Sequence, residues 1–128
     1  MKTLLITTAF VFAMTLGANA AQLGAGPIYS ANAHYAYCWW INLGTATVTP
    51  TSQLMYSFNS NTAISTSSTC PNGSPVGLGT SCWIYPNSSG GITGLSCKVV
   101  FSMGVANIRG SLELVDPSNN EISQVELR

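Results

Sequence analysis

From His34 to Leu43 the chain alternates with a two-residue period. Tyr35, Tyr37, Trp39, Ile41 and Leu43 share one face, and Ala36, Cys38 and Trp40 share the other. That period belongs to a β-strand, and the run is too short and too aromatic for an isolated helix. Both faces are largely apolar, which predicts a central strand covered on both sides. Gly44-Thr45 closes it. Two of the three Trp and one of the four Cys lie here, so the core is expected to form around this strand.

The rest of the pattern is strand-like too. Pro27-Ile28-Tyr29 predicts a short first strand within the small, Gly-rich stretch from Ala21 to Ala33. Thr45 to Thr49 is β-branched enough to resume extended structure before Pro50. Gln53 to Phe58 alternates, with Leu54, Tyr56 and Phe58 expected inward and Gln53 and Ser57 outward. Asn59 to Thr69 is polar and predicts a weak edge strand plus loop. Between Cys70 and Cys82 two Pro and three Gly forbid a regular element through the middle. Trp83-Ile84-Tyr85 is a brief strand ended by Pro86.

Further on, Cys97, Val99, Phe101 and Met103 oppose Ser96, Lys98 and Ser102. Ala106, Ile108, Gly110, Leu112 and Leu114 oppose Asn107, Arg109, Ser111 and Glu113. Asp116-Pro117-Ser118-Asn119-Asn120 is a turn in which Pro117 presets φ and Asp116 can accept from the backbone ahead. Glu121 to Leu127 supplies the last strand. Leu95 to Leu127 is thus expected to be a three-stranded meander. Residues 21–128 hold no apolar period of 3.6 sustained for three turns.

Before the strands comes an address. Met1-Lys2 is a short positive region, Thr3 to Leu16 is apolar and uncharged, and Ala18-Asn19-Ala20 fits the small-x-small rule for signal peptidase. The apolar run is shorter than the roughly 20 residues of a spanning helix, and no Cys follows the cut to carry a lipid anchor. Residues 1–20 are therefore expected to be a cleaved signal peptide, and residues 21–128 a single secreted or periplasmic domain with no membrane span.

Composition narrows the class. Only 6% of residues are charged and 46% are hydrophobic, so Ser, Thr, Asn and Gly supply the polarity and disorder is excluded. Beyond the leader, Lys98, Arg109 and Arg128 stand against Glu113, Asp116, Glu121 and Glu126. There is no basic stripe for phosphates, which argues against nucleic-acid binding. About seven or eight short strands in this length predict an all-β, antiparallel β-sandwich, with a small barrel as the alternative.

Cys38 followed by Asn42-x-Gly44-Thr45, then Cys70, Leu78 and Cys82, then Cys97-x-Val99-x-Phe101 resembles the immunoglobulin-like sandwich domains of small exported bacterial proteins. The resemblance covers roughly Cys38 to Val115. It departs from antibody domains in that Trp39 and Trp40 sit beside the first Cys. It implies a fold and no activity.

Four Cys in a small exported chain favour disulfides, with three connectivities open. The Pro/Gly loop lets Cys70 meet Cys82, and Cys38 and Cys97 would then pin two core strands. A zinc site lacks any Cys-x-x-Cys spacing, and no metal or other cofactor is expected. No catalytic residue is assigned: His34 is the one His, no Gly-x-Ser-x-Gly elbow occurs, and every acid lies between Glu113 and Glu126. The chain is expected not to be an enzyme.

Tyr29, Tyr35, Trp40, Trp83 and Tyr85 are the candidate ligand-facing aromatics. The competing expectation makes Trp39, Trp40 and Trp83 core residues packed on the disulfides. The leading functional expectation is a structural or interaction protein acting through its surface, as a component of an envelope assembly. It would act on a protein partner or a second copy, because Gln53–Phe58 and Asn59–Thr69 carry no charge to guard an edge. The alternative is a glycan-binding module, which clustered exposed rings would favour.

Overall fold

The computed structural model describes residues 20–29, 31, 33–57, 62–87 and 94–128. Residues 1–19 of the expected leader lie outside them, and the first strand starts at Ala21. Eight strands follow in order: β1 (Ala21–Tyr29), β2 (Tyr35–Asn42), β3 (Pro50–Ser57), β4 (Thr66–Ser68), β5 (Ser81–Pro86), β6 (Gly94–Phe101), β7 (Ile108–Val115) and β8 (Glu121–Glu126). They form two antiparallel sheets, ordered β1-β6-β3 and β4-β5-β2-β7-β8. β2 is the middle strand of the larger sheet. The architecture is an all-β sandwich.

Both expected disulfides form. Cys38–Cys97 joins β2 of one sheet to β6 of the other, and Cys70–Cys82 joins the loop after β4 to β5. The inter-sheet bridge fixes which way each strand faces. Cys38 points into the core, so Ala36 and Trp40 do as well, and all three are fully buried. Trp40 meets Phe101 of the opposite sheet edge to face at 4.9 Å, an arrangement favoured by the ring quadrupoles. Trp40 is therefore a core residue and not a ligand-facing one.

β2 is not covered on both sides. Two sheets enclose one core, and each keeps an outer face in solvent. The odd-numbered aromatics of β2 lie on that outer face.

On β3 the inward and outward sets from Gln53 to Tyr56 are the reverse of the sequence expectation, while Ser57 is exposed as expected. Met55 lies opposite Cys97 and Gln53 opposite Val99, so both face the core, while Leu54 and Tyr56 lie opposite Lys98 and Ser96. Phe58 is outside the described residues. Burying Gln53 is tolerated because its amide is fully paired. Its Nε2 donates to the Cys70 carbonyl (2.6 Å) and Asn72 Oδ1 (3.1 Å). Its Oε1 accepts from Trp40 Nε1 (3.1 Å) and Ser68 Oγ (3.1 Å). One glutamine thus ties the core indole to the loop that carries the second disulfide.

Asn42 does the same at the end of β2. Its Nδ2 donates to the carbonyls of Ala46 (2.9 Å) and Val76 (3.1 Å), and its Oδ1 accepts from Gly44 N–H (2.9 Å). The segment after it bends rather than resuming as a strand, and Val48 makes an isolated bridge to Val76.

Leu95 to Leu127 is not a meander. β6 is the middle strand of the small sheet, and β7 lies between β2 and β8 in the large one, so the 102–107 connection crosses between sheets. Met103, expected inward, is exposed in that connection. Alternation tells which side a residue faces, but not which neighbour its strand takes. The first strand is also longer than Pro27–Tyr29, with a register shift between Ala25 and Ile28.

β7 and β8 form a hairpin closed by the Asp116 turn. Asp116 Oδ1 accepts from the backbone N–H of Asn120 and of Ser118, both at 2.8 Å, and Asn119 takes φ 64°. The Asn120 backbone bond first, then its side-chain amide and the Ser118 N–H, hold the carboxyl below its ordinary value of 3.8. A lowered folded value means this contribution is present above the unfolded pKa and is lost as pH falls through the folded one. Followed by NMR, the Asp116 carboxyl should titrate below 3.8 and the turn amides should lose exchange protection over the same range. A midpoint at or above that value would contradict the turn chemistry.

Candidate functional site

The outer face of the five-stranded sheet is the most distinctive surface of the molecule. Trp39 lies directly opposite Trp83 of β5, and their ring centroids are 6.0 Å apart. Tyr37 meets Trp83 edge to face at 6.1 Å and stacks with Tyr35 at 6.4 Å. Tyr35 in turn meets His34 at 4.5 Å. A strip of touching rings therefore runs from His34 to the Trp39–Trp83 pair. Tyr85 lies two residues from Trp83 on the same face of β5.

These rings are accessible. Tyr35 is 36% exposed, and Trp83 and Tyr85 are each 39% exposed. Trp39 and Tyr37 are half-buried. Cross-strand aromatic pairs of this kind stabilise the sheet by about 0.5–1.5 kcal/mol each. That contribution does not require five large rings to remain in contact with water.

The second half of the same face is polar. Across the sheet the outward side chains fall in rows, with Trp83, Trp39, Ser111 and Glu126 in one row. Tyr37, Glu113 and Gln124 make the next. Glu113 Oε1 accepts from Trp39 Nε1, from Ser111 Oγ (2.7 Å) and from Gln124 Nε2 (3.1 Å). Gln124 Nε2 also donates to Ser111 Oγ at 2.9 Å. This network fixes the indole of Trp39 through its Nε1 and sets amide and carboxylate groups beside it. Arg109, on the same side of β7, is anchored through Nη1 to the carbonyls of Ala106 (3.0 Å) and Ile108 (2.8 Å).

Of the aromatics expected to face a ligand, Tyr35, Trp83 and Tyr85 come together here. Trp40 is buried, and Tyr29 is exposed but belongs to β1 of the other sheet. Tyr37 and Trp39 belong to the site although the sequence expectation placed them under cover. The signal that identifies them is parity: Cys38 and Cys82 must point inward to form their bridges, so residues 35, 37, 39, 83 and 85 must point outward. Ser111, Glu113 and Gln124 have no such signature, since their strands become neighbours of β2 only in the fold.

Among the described residues, no group of three His, Cys, Asp or Glu side chains is placed to hold a metal ion. No helix is long and apolar enough to cross a membrane. Compared with protein families, characterised proteins and solved structures, the chain matches none.

Proposed function

We propose that the protein is an exported, non-catalytic recognition domain that binds glycans on the outer face of its five-stranded sheet. The observation that carries this reading is the strip of five outward rings bordered by the Glu113–Ser111–Gln124 network. A pyranose has an apolar face of C–H groups and a rim of hydroxyls. A flat ring beside oriented amide and carboxylate groups matches both parts. Two disulfides support an oxidising compartment. Glu113 already accepts three hydrogen bonds on one oxygen, which suits orienting a ligand better than transferring a proton. The immunoglobulin-like resemblance is kept as a reading of architecture, supported by the disulfide between the sheets, and adds no activity.

The alternative is a structural or interaction protein working through a strand edge. Its support is β8, an edge strand with Ile122 exposed. Against it, β8 has Glu121 and Glu126 at its two ends, and β4 is only three residues long. The charge-free β3 is partly roofed, since Ile64 N–H bonds the Met55 carbonyl and Gly73 N–H bonds that of Pro50.

Affinity electrophoresis in gels containing neutral polysaccharides tests the proposal. Wild-type protein should be retarded by at least one of them, and Trp83→Ala should lose about tenfold in affinity, as expected for one stacked ring at a binding surface. Trp83→Ala also removes two cross-strand ring pairs, so the variant should lose about 1–3 kcal/mol of stability and remain folded under the binding conditions. No retardation by any glycan, together with light-scattering mass that rises with concentration, would overturn the glycan reading in favour of the edge.

A further inference from the structure

The aromatic strip does not end on open sheet. Beside Trp39, on the polar half of the face, lies a recess of about 270 Å³ lined by Trp39, Arg109, Ser111, Gln124 and Glu126, with Leu127 at its end. The last residues of the chain build its margin. Leu127 N–H donates to the Gly110 carbonyl at 3.0 Å, and Arg128 exchanges backbone hydrogen bonds of 2.8 and 2.9 Å with Gly24 of β1. The C-terminus is thereby tied across to the other sheet, which keeps β8 in place beside the recess.

The chemistry of the recess differs from that of the strip. The strip offers ring faces. The recess offers one ring wall and a set of donors and acceptors, a guanidinium, an amide and a carboxylate, with the buried Ser111 hydroxyl behind them holding the Gln124 amide. Its charges also balance. Of the lining residues Arg109 stands against Glu126, and Glu126 Oε2 lies 3.8 Å from Arg128 Nη2 just outside the recess. A uronic acid, a sialic acid or a polyamine would meet as much repulsion as attraction here. A neutral polyhydroxylated unit can use every donor and acceptor without stranding a charge.

We propose that this recess is a second subsite, which takes one neutral sugar unit while its neighbour in the same chain stacks on the Trp39–Trp83 pair. The inference rests on the glycan-binding reading above. Trp39 belongs to both subsites: its indole packs beside Trp83 in the strip and also lines the recess. Strands in a sheet lie about 4.8 Å apart, so stepping from β2 to β7 moves a ligand by about the length of one sugar unit. The glycan would therefore run across the strands, from β5 toward β8, and not along them.

Two subsites predict an affinity that climbs with chain length and then levels off. Titration calorimetry with cello-, malto- and chito-oligosaccharides of one to six units should show, in the series that binds, a gain of at least tenfold between one and two or three units. It should show little further gain beyond that. Gln124→Ala and Glu126→Ala should erase most of the gain with chain length, whereas Trp83→Ala should weaken every length. Polygalacturonate should bind no better than the neutral series. If Trp83→Ala weakens binding but both recess variants keep the wild-type length dependence, the second subsite is wrong and the aromatic platform stands. If Trp83→Ala changes nothing either, the platform reading falls as well. Preferential binding of polygalacturonate would overturn the neutral assignment.

Discussion

Replacing both Cys38 and Cys97 by alanine should destabilise the protein by about 4 kcal/mol, whereas the Cys70→Ala/Cys82→Ala pair should lose about 3 kcal/mol. The difference comes from the unfolded chain. The first bridge spans 59 residues of sequence and the second 12, and a longer closed loop removes more conformational freedom from the denatured ensemble. The folded state points the same way. Cys38–Cys97 is buried between the sheets beside Trp40, Met55 and Phe101, so its loss also leaves unfilled space in the core. Urea unfolding of the two double variants, compared at equal m, measures the order. A Cys70/Cys82 variant that loses as much as the Cys38/Cys97 one would show that the chain-entropy ordering does not hold here.

The same bridge explains what the sequence could and could not reveal. Once Cys38 is known to face inward, strand parity places Ala36 and Trp40 in the core and Tyr35, Tyr37 and Trp39 outside. The half of the site built on β2 and β5 was therefore legible, given the pairing. It was misread where apolar was equated with buried. The outer face of a sandwich can carry large rings in contact with one another, and Tyr37 and Trp39 are such rings. β3 shows the opposite failure. A polar Gln53 looked like a surface residue, yet four hydrogen bonds make it a core one, and no local pattern announces partners as distant as Trp40, Ser68, Cys70 and Asn72. The polar half of the site depended on topology. Ser111, Glu113 and Gln124 alternate outward plainly enough in the sequence. Their meeting with Trp39 requires β7 to leave β6 and pair with β2, and alternation carries no information on that choice.

The second large effect is expected at Gly110, where β7 passes β2. A Cβ on Gly110 would collide with the Trp39 carbonyl oxygen and stand 2.9 Å from Trp40 Cα and 3.0 Å from Trp40 Cβ. Two of those three atoms belong to backbone, which cannot swing away as a side-chain end can. The strand paired with β2, which carries the fully buried Cys38 and Trp40, would have to move, and overpacking of this kind costs about 3 kcal/mol. Gly110→Ala should therefore lower the urea midpoint by that equivalent. Gly24→Ala provides the comparison within the same fold. Gly24 also lies in a strand, but a Cβ there would meet only the Cys97 carbonyl oxygen at 3.6 Å, an ordinary contact. Its variant should stay within about 0.5 kcal/mol of wild type. The two measurements separate close approach from any general intolerance of side chains at strand glycines. Equal midpoints for the two variants would mean that β7 does not press against β2 as closely as described. The argument extends to binding, because Gly110 lies at the edge of the recess and Trp39 on its wall. A displaced β7 would pull Ser111 and Glu113 away from the indole they fix. Any Gly110→Ala protein that still folds should therefore also show an altered native-state tryptophan emission, because Trp39 loses its bond to Glu113.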